Sequence, residues 1–401
     1  MKRGGRTLAI LSVLALASCV APRERPAPAP TPAPTSALAA GLRAGPAVRD
    51  LRLTVTDAEA ALRSFSESCP RLLARTDASG LTRKEDWQSA CSAAASWPRG
   101  EGQRFFENQF EAVVVGDGTA FATGYFEPEI AGSRTRRPGF EVPVYRVPPD
   151  LVRCWRDEIP ESERQGRAPL SRQTPDGRCV PYYTRAEIED GALAGKGLEI
   201  AWGADPIEMF FLEVQGSGRL KTPEGEVIRI GYAGQNGAGY TAIGAIMRQR
   251  GLIGEATGYA TSMQGIVQYL RDHPAEGRAI MRENQSWIFF REVTGDGPLG
   301  ALEVPVRRES SVAADPQYVP LGAPVFLHGG ERQELHGLWI AQDTGGAIKG
   351  PNRFDSFWGA GDEAERIAGG MNDRGRARAC RPPWCAPVRP HPRRYRTGWL
   401  L

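Results

Sequence analysis

Three aspartates near the C-terminal end of the sequence are the first residues that suggest chemistry. Asp343, Asp355 and Asp362 lie in the stretch QDTGGAIKGPNRFDSFWGAGDEAE, which is rich in glycine and aromatic residues. Glycine lets a ligand or another backbone approach closely, and a carboxyl group can hold a proton or a metal ion. The stretch therefore indicates carboxylate chemistry.

Asp355 is the strongest candidate for a general acid. Phe354, Phe357 and Trp358 flank it in the sequence and would remove water from its carboxyl group, and burial raises the pKa of a carboxyl group. An aspartate starts near ~3.9 and needs such a shift to stay protonated at neutral pH, where a positioned acid contributes ~10²–10⁴ in rate. Lys349 would oppose the shift if it lay within a few ångströms.

The residues alone leave two other interpretations open. The three aspartates could bind a divalent cation, although the D-x-D-x-D-G loop that surrounds Ca²⁺ is absent. They could also be turn and cap residues, because Asp343 precedes Thr-Gly-Gly and Asp362 stands where a helix over EAERIAGG would begin.

Other catalytic motifs fail on inspection. The segment GALAGKGL has the wrong spacing for a phosphate-binding loop, and VQGSGR lacks the spacing of a nucleophile elbow around Ser217. No C-x-x-C pair or H-E-x-x-H motif occurs, and the four histidines are scattered. We therefore expect no metal and no cofactor.

The N-terminal sequence predicts an exported lipoprotein. Residues 1–18 have a basic start and an apolar run too short to span a bilayer, which is typical of a signal peptide. The run closes on Leu-Ala-Ser before Cys19 and resembles the lipobox of bacterial lipoproteins, whose cysteine is lipidated; an ordinary signal with a chance cysteine is the alternative. Residues 19–44 are rich in proline and alanine and predict an extended tether.

The cysteine count agrees with export. Removing Cys19 from the seven cysteines leaves six, which fall into three pairs that are close in sequence: Cys69/Cys91, Cys154/Cys179 and Cys380/Cys385. An even count in an oxidising compartment indicates disulfides, each of which contributes ~2–4 kcal/mol. Proximity alone selects this pairing among the possible ones.

The charge balance argues against a nucleic-acid partner. Removing Lys2, Arg3 and Arg6 with the signal lowers the Lys and Arg total from 50 to 47, equal to the 47 acidic residues. Only the segment after Asp373 is one-sided, with eight arginines and no acid. A solvated basic tail is the expectation, and contact with an anionic lipid or wall polymer is the alternative.

Beyond residue 41 the chain is long enough for two domains. The first part predicts helices, because Thr56-x-x-Glu59 and Thr82-x-x-Glu85 have the spacing of capping boxes. Short β-branched and aromatic runs bounded by glycine and proline follow, such as EAVVVG and QSWIFFREV. The predicted fold class is mainly β with peripheral helices.

Five stretches of the sequence together resemble a known family. The three-aspartate stretch, ATGYFEP, EVQGSGRL, GYAGQNGAGYTAIG and SVAADPQYVPLGAPVFL resemble segments of the membrane-bound lytic murein transglycosylases of type A. The resemblance implies a double-psi β-barrel catalytic domain split in sequence, residues 45–127 and 292–375, plus an inserted second β-rich domain, residues 128–291. Residues 376–401 would then form a basic tail that contains cysteine and proline.

The same resemblance implies an activity. Such enzymes cleave the β-1,4 bond between N-acetylmuramic acid and N-acetylglucosamine in peptidoglycan and form 1,6-anhydromuramic acid ends, with one aspartate acting as acid and then as base. Asp355 takes that position here, with Asp343 and Asp362 in support. The implied glycan-binding residues are Thr123, Gly124, Tyr125, Gln215, Gly216, Ser217, Gly218 and Tyr232. Ordinary packing is the alternative for the two tyrosines.

The expected partners are peptidoglycan glycan strands, the membrane through the N-terminal lipid anchor, and other wall-synthesis or wall-cleaving proteins, with no nucleic acid. Val20 after the lipidated cysteine favours the outer membrane, with the protein facing the periplasm. Two alternatives stay open: a non-catalytic peptidoglycan-binding lipoprotein, and a two-carboxylate glycoside hydrolase with Glu127 or Asp343 as the second carboxylate.

Overall fold

The computed structural model describes residues 34–295 and 297–383. The chain is mainly β with several helices, which confirms the predicted fold class. The strands are β1 Leu42–Ala44, β2 Glu111–Val115, β3 Thr119–Glu127, β4 Glu129–Ser133, β5 Val142–Tyr145, β6 Leu151–Arg153, β7 Leu170–Gln173, β8 Cys179–Val180, β9 Glu199–Gly203, β10 Ser217–Lys221, β11 Val227–Gln235, β12 Ile288–Glu292, β13 Ser311–Ala314, β14 Pro324–His328, β15 Gly337–Asp343, β16 Arg353–Ala360 and β17 Asn372–Arg381.

The α-helices are short apart from the second. They are α1 Ala37–Ala40, α2 Val55–Leu72, α3 Gln88–Ala94, α4 Gly102–Gln109, α5 Arg185–Glu187, α6 Pro206–Gln215, α7 Ile243–Gln249, α8 Met263–Asp272, α9 Pro274–Glu283 and α10 Asp362–Gly369. Among the described residues, no helix combines the length and the apolar character needed to cross a bilayer. The expected signal peptide, Cys19 and Cys385 lie outside the described residues.

Six strands close into a ring. Their order is β17-β14-β15-β13-β16-β3, and β3 pairs back with β17. The β3–β16 and β13–β15 pairs are parallel, and the other pairs of the ring are antiparallel. Strand β2 extends the sheet from β17, and β1 pairs with β2. The double-psi connection of this ring stays a prediction.

The chain between β3 and β13 forms a second group of sheets. A six-stranded sheet has the order β12-β11-β10-β4-β9-β5, and β6, β7 and β8 form a separate three-stranded sheet. A disulfide joins Cys154, directly after β6, to Cys179 in β8. We propose the predicted division into a barrel and an inserted domain for these two groups of strands.

Helix α2 covers one side of the ring and is held by aromatic packing. The ring of Phe65 lies 5.6 Å from that of Phe105 and 5.4 Å from that of Phe110, measured between centroids. Such pairs each contribute about 0.5–1.5 kcal/mol beyond simple burial. The expected disulfide between Cys69 and Cys91 is present and ties α2 to α3.

The two predicted capping boxes are misplaced. Helix α2 begins after Thr54, whose side chain accepts from the Asp57 amide at 3.1 Å, so it starts two residues earlier than the Thr56 pattern predicted. The buried side chain of Leu53 anchors the chain directly before this cap. The second capping box begins at Arg83 and not at the predicted Thr82, and its other member is Asp86.

Strands β1 and β17 both extend beyond the predicted boundaries of the barrel. Strand β1 begins at Leu42, inside the expected tether, and β17 continues to Arg381, inside the expected tail. The tail assignment is wrong for residues 376–381 because arginines there alternate with small residues such as Ala377, which packs in the core. Cys380 in this strand is buried and forms no disulfide within the described residues, and burial raises the pKa of its thiol to about 12. Its expected partner, Cys385, lies outside the described residues.

Candidate active site

The closed ring brings Asp343 and Asp355 into one row across four strands. Asp355 in β16 stands opposite Thr123 in β3 on one side and Ala313 in β13 on the other. Ala313 in turn stands opposite Asp343 at the end of β15. Opposed residues share a face of the sheet. With strands about 4.8 Å apart, the two aspartate Cα atoms are separated by roughly 10 Å.

This row lies on the outer face of the ring. Asp355 and Phe357 alternate along β16 with Phe354 and Trp358, which pack in the barrel core. The expectation that all three aromatic neighbours surround Asp355 is therefore wrong for Phe354 and Trp358, because side chains alternate between the two faces of a strand. The Phe357 ring lies 5.0 Å from that of Tyr125. Three further apolar residues complete their outer cluster: Val306, Ala313 and Ile348.

One carboxyl oxygen of Asp355 has a single hydrogen-bond donor. Thr123 Oγ1 donates to Asp355 Oδ1 at 2.6 Å, and Arg353 Nη2 donates to Thr123 Oγ1 at 2.8 Å. Oδ2 of Asp355 has no hydrogen bond to the described residues. Burial raises the pKa of Asp355 to about 6, opposed by the Thr123 hydrogen bond and the Arg353 charge. The opposing cation is thus Arg353, and Lys349 is exposed.

Asp343 is held by three donors instead of one. Its Oδ1 accepts from the amides of Ala301 and Thr344, both at 2.8 Å, and its Oδ2 accepts from the Tyr125 hydroxyl at 3.1 Å. Gly300 is required for this contact, since a Cβ there would lie 2.5 Å from the Gln342 carbonyl oxygen. Burial raises the pKa of Asp343 to about 6, although each of the three hydrogen bonds lowers it.

The residue before Asp343 fixes the strand that carries it. Gln342 is fully buried, and its Nε2 donates to the Ser64 carbonyl at 3.0 Å and to Ser68 Oγ at 2.9 Å. Both serines belong to α2, so the helix sets the position of β15. Buried amide networks of this kind specify a single arrangement when every group is paired.

Asp362 occupies a different environment. It is the first residue of α10 and is exposed, and within the described part of the chain it makes no hydrogen bond or ion pair with Asp343 or Asp355. A carboxylate in the first turn of a helix interacts favourably with the helix dipole. Asp362 therefore follows the N-cap Gly361 as a first-turn residue of α10 and makes no side-chain cap hydrogen bond.

The first group of predicted glycan-binding residues is divided between two faces of β3. Thr123 and Tyr125 belong to the row described above. Gly124 lies on the opposite face, where a Cβ would come within 2.8 Å of the Ala368 Cα atom in α10. Gly124 thus allows α10 to pack on β3, and the structure gives it a packing role.

The second group lies where the inserted sheet meets the ring. Gln215 Oε1 accepts from the Phe126 amide at 3.1 Å, and Gly216 ends α6. Ser217 and Gly218 begin β10, where they pair with β11. Tyr232 in β11 is 49% exposed, and burial of part of the ring raises its pKa.

Sequence reasoning missed two residues of the site. Arg353 supports Thr123, and its position two residues before Asp355 was the available signal, because such residues share a strand face. Tyr240 belongs to the inserted region, is 38% exposed, and packs close to Gly346. Burial raises the pKa of Tyr240, and the Asp355 charge raises it further. Gly346, which Tyr240 contacts, lies in the loop between Asp343 and Asp355.

Glu127 is not available for chemistry in this arrangement. It is 1% exposed at the far end of β3, where Arg219 Nε lies 2.9 Å from its Oε2 and Arg229 Nε lies 3.1 Å from its Oε1. Two cations therefore engage both oxygens. Among residues 34–295 and 297–383, no group of three or more His, Cys, Asp or Glu side chains is placed to hold a metal ion.

Comparison with known proteins places this fold and site in a family. Residues 121–291 match the MltA specific insert domain, and residues 310–379 match the 3D domain. The crystal structure of a membrane-bound lytic murein transglycosylase from Agrobacterium tumefaciens is similar, with 30% identity, a TM-score of 0.74, and coverage of 85% of this chain and 98% of that chain. The present chain belongs to this family of membrane-bound lytic murein transglycosylases of type A.

Two relatives from Escherichia coli extend the comparison. Membrane-bound lytic murein transglycosylase A of strain K12 is 34% identical over 265 residues, and the match spans 63% of each chain. The crystal structure of E. coli MltA with bound chitohexaose has a TM-score of 0.61 and 26% identity, and the match covers 83% of this chain and 90% of that one.

Proposed function

We propose that this protein is a lytic transglycosylase that cleaves the β-1,4 bond between N-acetylmuramic acid and N-acetylglucosamine in peptidoglycan. The observation that carries the proposal is the partly buried carboxyl group of Asp355, whose Oδ2 has no hydrogen bond to the described residues. Asp343 and Glu127 are instead held by other groups on both oxygens. The relatives are named lytic murein transglycosylases, and one of them binds chitohexaose, a β-1,4-linked glycan.

The proposed reaction uses Asp355 twice. Protonated Asp355 donates its proton to the glycosidic oxygen as the bond from that oxygen to muramyl C1 breaks, which releases the N-acetylglucosamine hydroxyl. The resulting carboxylate then takes the proton of the muramyl C6 hydroxyl while its oxygen bonds to C1. The products are an anhydro end and a regenerated acid, and no water is consumed. The internal hydroxyl has a high effective molarity, which replaces a second catalytic group.

The raised pKa fits the first step. With a pKa of about 6, roughly a tenth of the Asp355 groups carry a proton at pH 7, whereas an ordinary aspartate would be almost fully ionised. The Thr123 hydrogen bond opposes a larger shift, so that the carboxylate formed in the first step is also a usable base. This balance suits one group that acts as acid and base in turn.

Neighbouring residues would position the sugar. The Tyr240 ring offers an aromatic face near Asp355, and aromatic faces pack well against sugar rings. Asp343 holds Tyr125, so we assign it a positioning role. We also propose lipid anchoring at Cys19 in the outer membrane, facing the periplasm, in line with the membrane-bound relatives.

Mass spectrometry of the released sugar ends tests this function. The form that lacks the first 19 residues would be incubated with purified peptidoglycan, with D355N as the inactive variant and D362N as the matched control. We expect ends one water lighter than reducing muramic acid from the wild type and D362N, and none from D355N. Reducing ends would indicate a hydrolase, and binding without release would indicate a non-catalytic binding protein; either result would overturn the proposal.

A further inference from the structure

The outer face of β17 carries a row of cations. Arg374, Arg376 and Arg378 alternate with residues that are buried, such as Asp373 and Ala377. Asp373 does not neutralise this face, because its carboxylate turns inward and accepts from three backbone amides of residues 330–332. The expected basic tail thus begins as a cationic strand of the ring.

This row is continuous with the candidate active site. Arg374 stands opposite Phe121, and Arg376 stands opposite Thr119, on the same strand β3 that presents Thr123 to Asp355. At about 3.3 Å per residue, the two arginines lie roughly 7 and 13 Å along the strand from the Thr123 position. The guanidinium groups of Arg353 and Arg374 both lie over the Phe121 ring, at 4.9 and 5.2 Å, so the cations extend from β17 to the site.

These cations have no acidic partners in the described part of the chain, where Arg374, Arg376 and Arg378 make no ion pair. Arg378 is half-buried, and burial lowers its pKa together with the nearby charges of Arg376 and Arg43. The acid at the far end is Asp117, close to Arg43 and held by Thr119. Some arginines elsewhere are paired, as Arg282 is with two acidic residues. Unneutralised like charges on one face favour an anionic ligand.

We propose that the arginine face of β17, formed by Arg374, Arg376 and Arg378, binds the carboxylates of the peptide stems of peptidoglycan. The inference rests on the proposed function and names its substrate class, glycan strands that carry acidic peptides. Each stem is attached to the muramyl residue that Asp355 would engage. An extended peptide of four residues reaches about 13 Å, which matches the distance from Thr123 to Arg376. A membrane surface fits less well, because covering this face with lipid would also cover the site.

Glycan strands with and without their peptides test this proposal. Soluble strands would be prepared intact and after removal of the peptides by an amidase, and kcat/KM would be compared for wild type, R376Q and R374Q/R376Q. The matched control is R63Q, since Arg63 is exposed on α2 and makes no ion pair among the described residues. Arg376 has no hydrogen-bond partner among these residues either, so R376Q tests the face without removing an internal contact.

We expect the kcat/KM of the wild type to be about tenfold higher on intact strands than on bare strands. The factor is small because each exposed ion pair contributes little free energy. The double variant should lose most of this preference while its rate on bare strands stays unchanged, R376Q should lose part of it, and R63Q none. Added salt should reduce the preference of the wild type, since it screens exposed charges. An unchanged preference in the double variant would overturn the proposal.

A binding measurement separates this proposal from the proposed function. Calorimetry with D355N and D355N/R374Q/R376Q on intact and bare strands needs no turnover. If the wild type released no anhydro ends, a binding preference for intact strands that depends on the arginines would still support the face, and equal binding would overturn it. Binding to vesicles that contain phosphatidylglycerol is measured last, for the wild type and for R374Q/R376Q. Loss of vesicle binding in R374Q/R376Q with an unchanged strand preference would assign the face to lipid and overturn the proposal.

Discussion

Strand β3 connects two regions in which a buried carboxyl group meets arginine, and the two regions differ in how completely that group is paired. At one end Asp355 has a single hydroxyl donor, and the nearest arginine reaches it only through Thr123. At the other end Glu127 lies between Arg219 and Arg229. Both carboxyl groups are buried next to an arginine. Burial by itself therefore does not decide which of them can act as a general acid.

The hydrogen bonds and ion pairs that each carboxyl group receives explain why the two regions differ. A carboxylate that receives several hydrogen bonds or full charges is stabilised in its ionised form. Asp343 is intermediate, with two amides and one tyrosine hydroxyl. Glu127 has one hydrogen bond but two cations beside it. Asp355 has one hydroxyl donor and no ion pair among the described residues, which leaves one oxygen available to a substrate. We therefore propose a structural role for the paired Asp343 and Glu127, and a chemical role for Asp355.

The largest expected effect is on the Asp355 side of this comparison. D355N removes the proton that the proposed reaction transfers, so we expect kcat to fall by about 10²–10⁴ with the fold intact. Turnover of purified peptidoglycan and a melting temperature measured at the same pH check this. Retention of full activity by a folded D355N would end the assignment of Asp355 as the acid.

The Glu127 side should respond in the opposite way. E127Q removes the buried charge that pairs with Arg219 and Arg229 and leaves Arg219 only Glu129, at 3.9 Å. The free energy of unfolding should therefore fall by about 2–3 kcal/mol. Activity per folded molecule should change little. Chemical denaturation measures the loss. The control is E141Q, because Glu141 is exposed and makes no ion pair among the described residues. A stable but inactive E127Q would instead support the two-carboxylate hydrolase alternative.

The sequence predicted features that depend on neighbouring residues better than features that depend on contacts between distant segments. The pattern of β-branched runs predicted the mainly β class. The aromatic and glycine neighbours of Asp355 singled it out, and the family resemblance then gave it the catalytic position. The side-chain alternation that places Phe354 and Trp358 in the core required the strand assignment of β16. Arg353 and Tyr240 were missed because their roles arise only when β3, β16 and the inserted region meet, and no short-range pattern encodes that contact.

The same limit explains the tail. The composition around Arg374 and Arg376 predicted a solvated basic segment, because a run of arginines without acidic residues is typical of a tail. In the ring, β17 has partners on both sides, β3 and β14. Small residues such as Ala377 face the core, and the arginines face outward. Long-range pairing, which cannot be read from one segment, decides between the two interpretations.

The pH dependence of stability tests the raised pKa of Asp355. The pKa of Asp355 in the folded protein is about 6, against about 3.9 in the unfolded chain. Between these values the folded state binds more protons, so the free energy of unfolding falls as the pH rises from about 4 to about 6. D355N should remove this dependence on pH. Its free energy of unfolding should exceed that of the wild type by about 1–2 kcal/mol at pH 7 and should equal it at pH 4. Equal differences at both pH values would contradict the raised pKa.

The smallest effect tests whether Thr123 sets the balance at Asp355. T123V removes the hydroxyl that donates to Asp355 Oδ1 at 2.6 Å, and this hydrogen bond favours the ionised form. The pKa of Asp355 should therefore rise in T123V, and the alkaline limb of the kcat/KM profile should move up by roughly half a unit to one unit. T123S keeps the hydroxyl and should restore the wild-type profile. A change in overall rate with no movement of the limb would mean that Thr123 acts only on the packing of β3, because a purely structural role leaves the titration of Asp355 where it was.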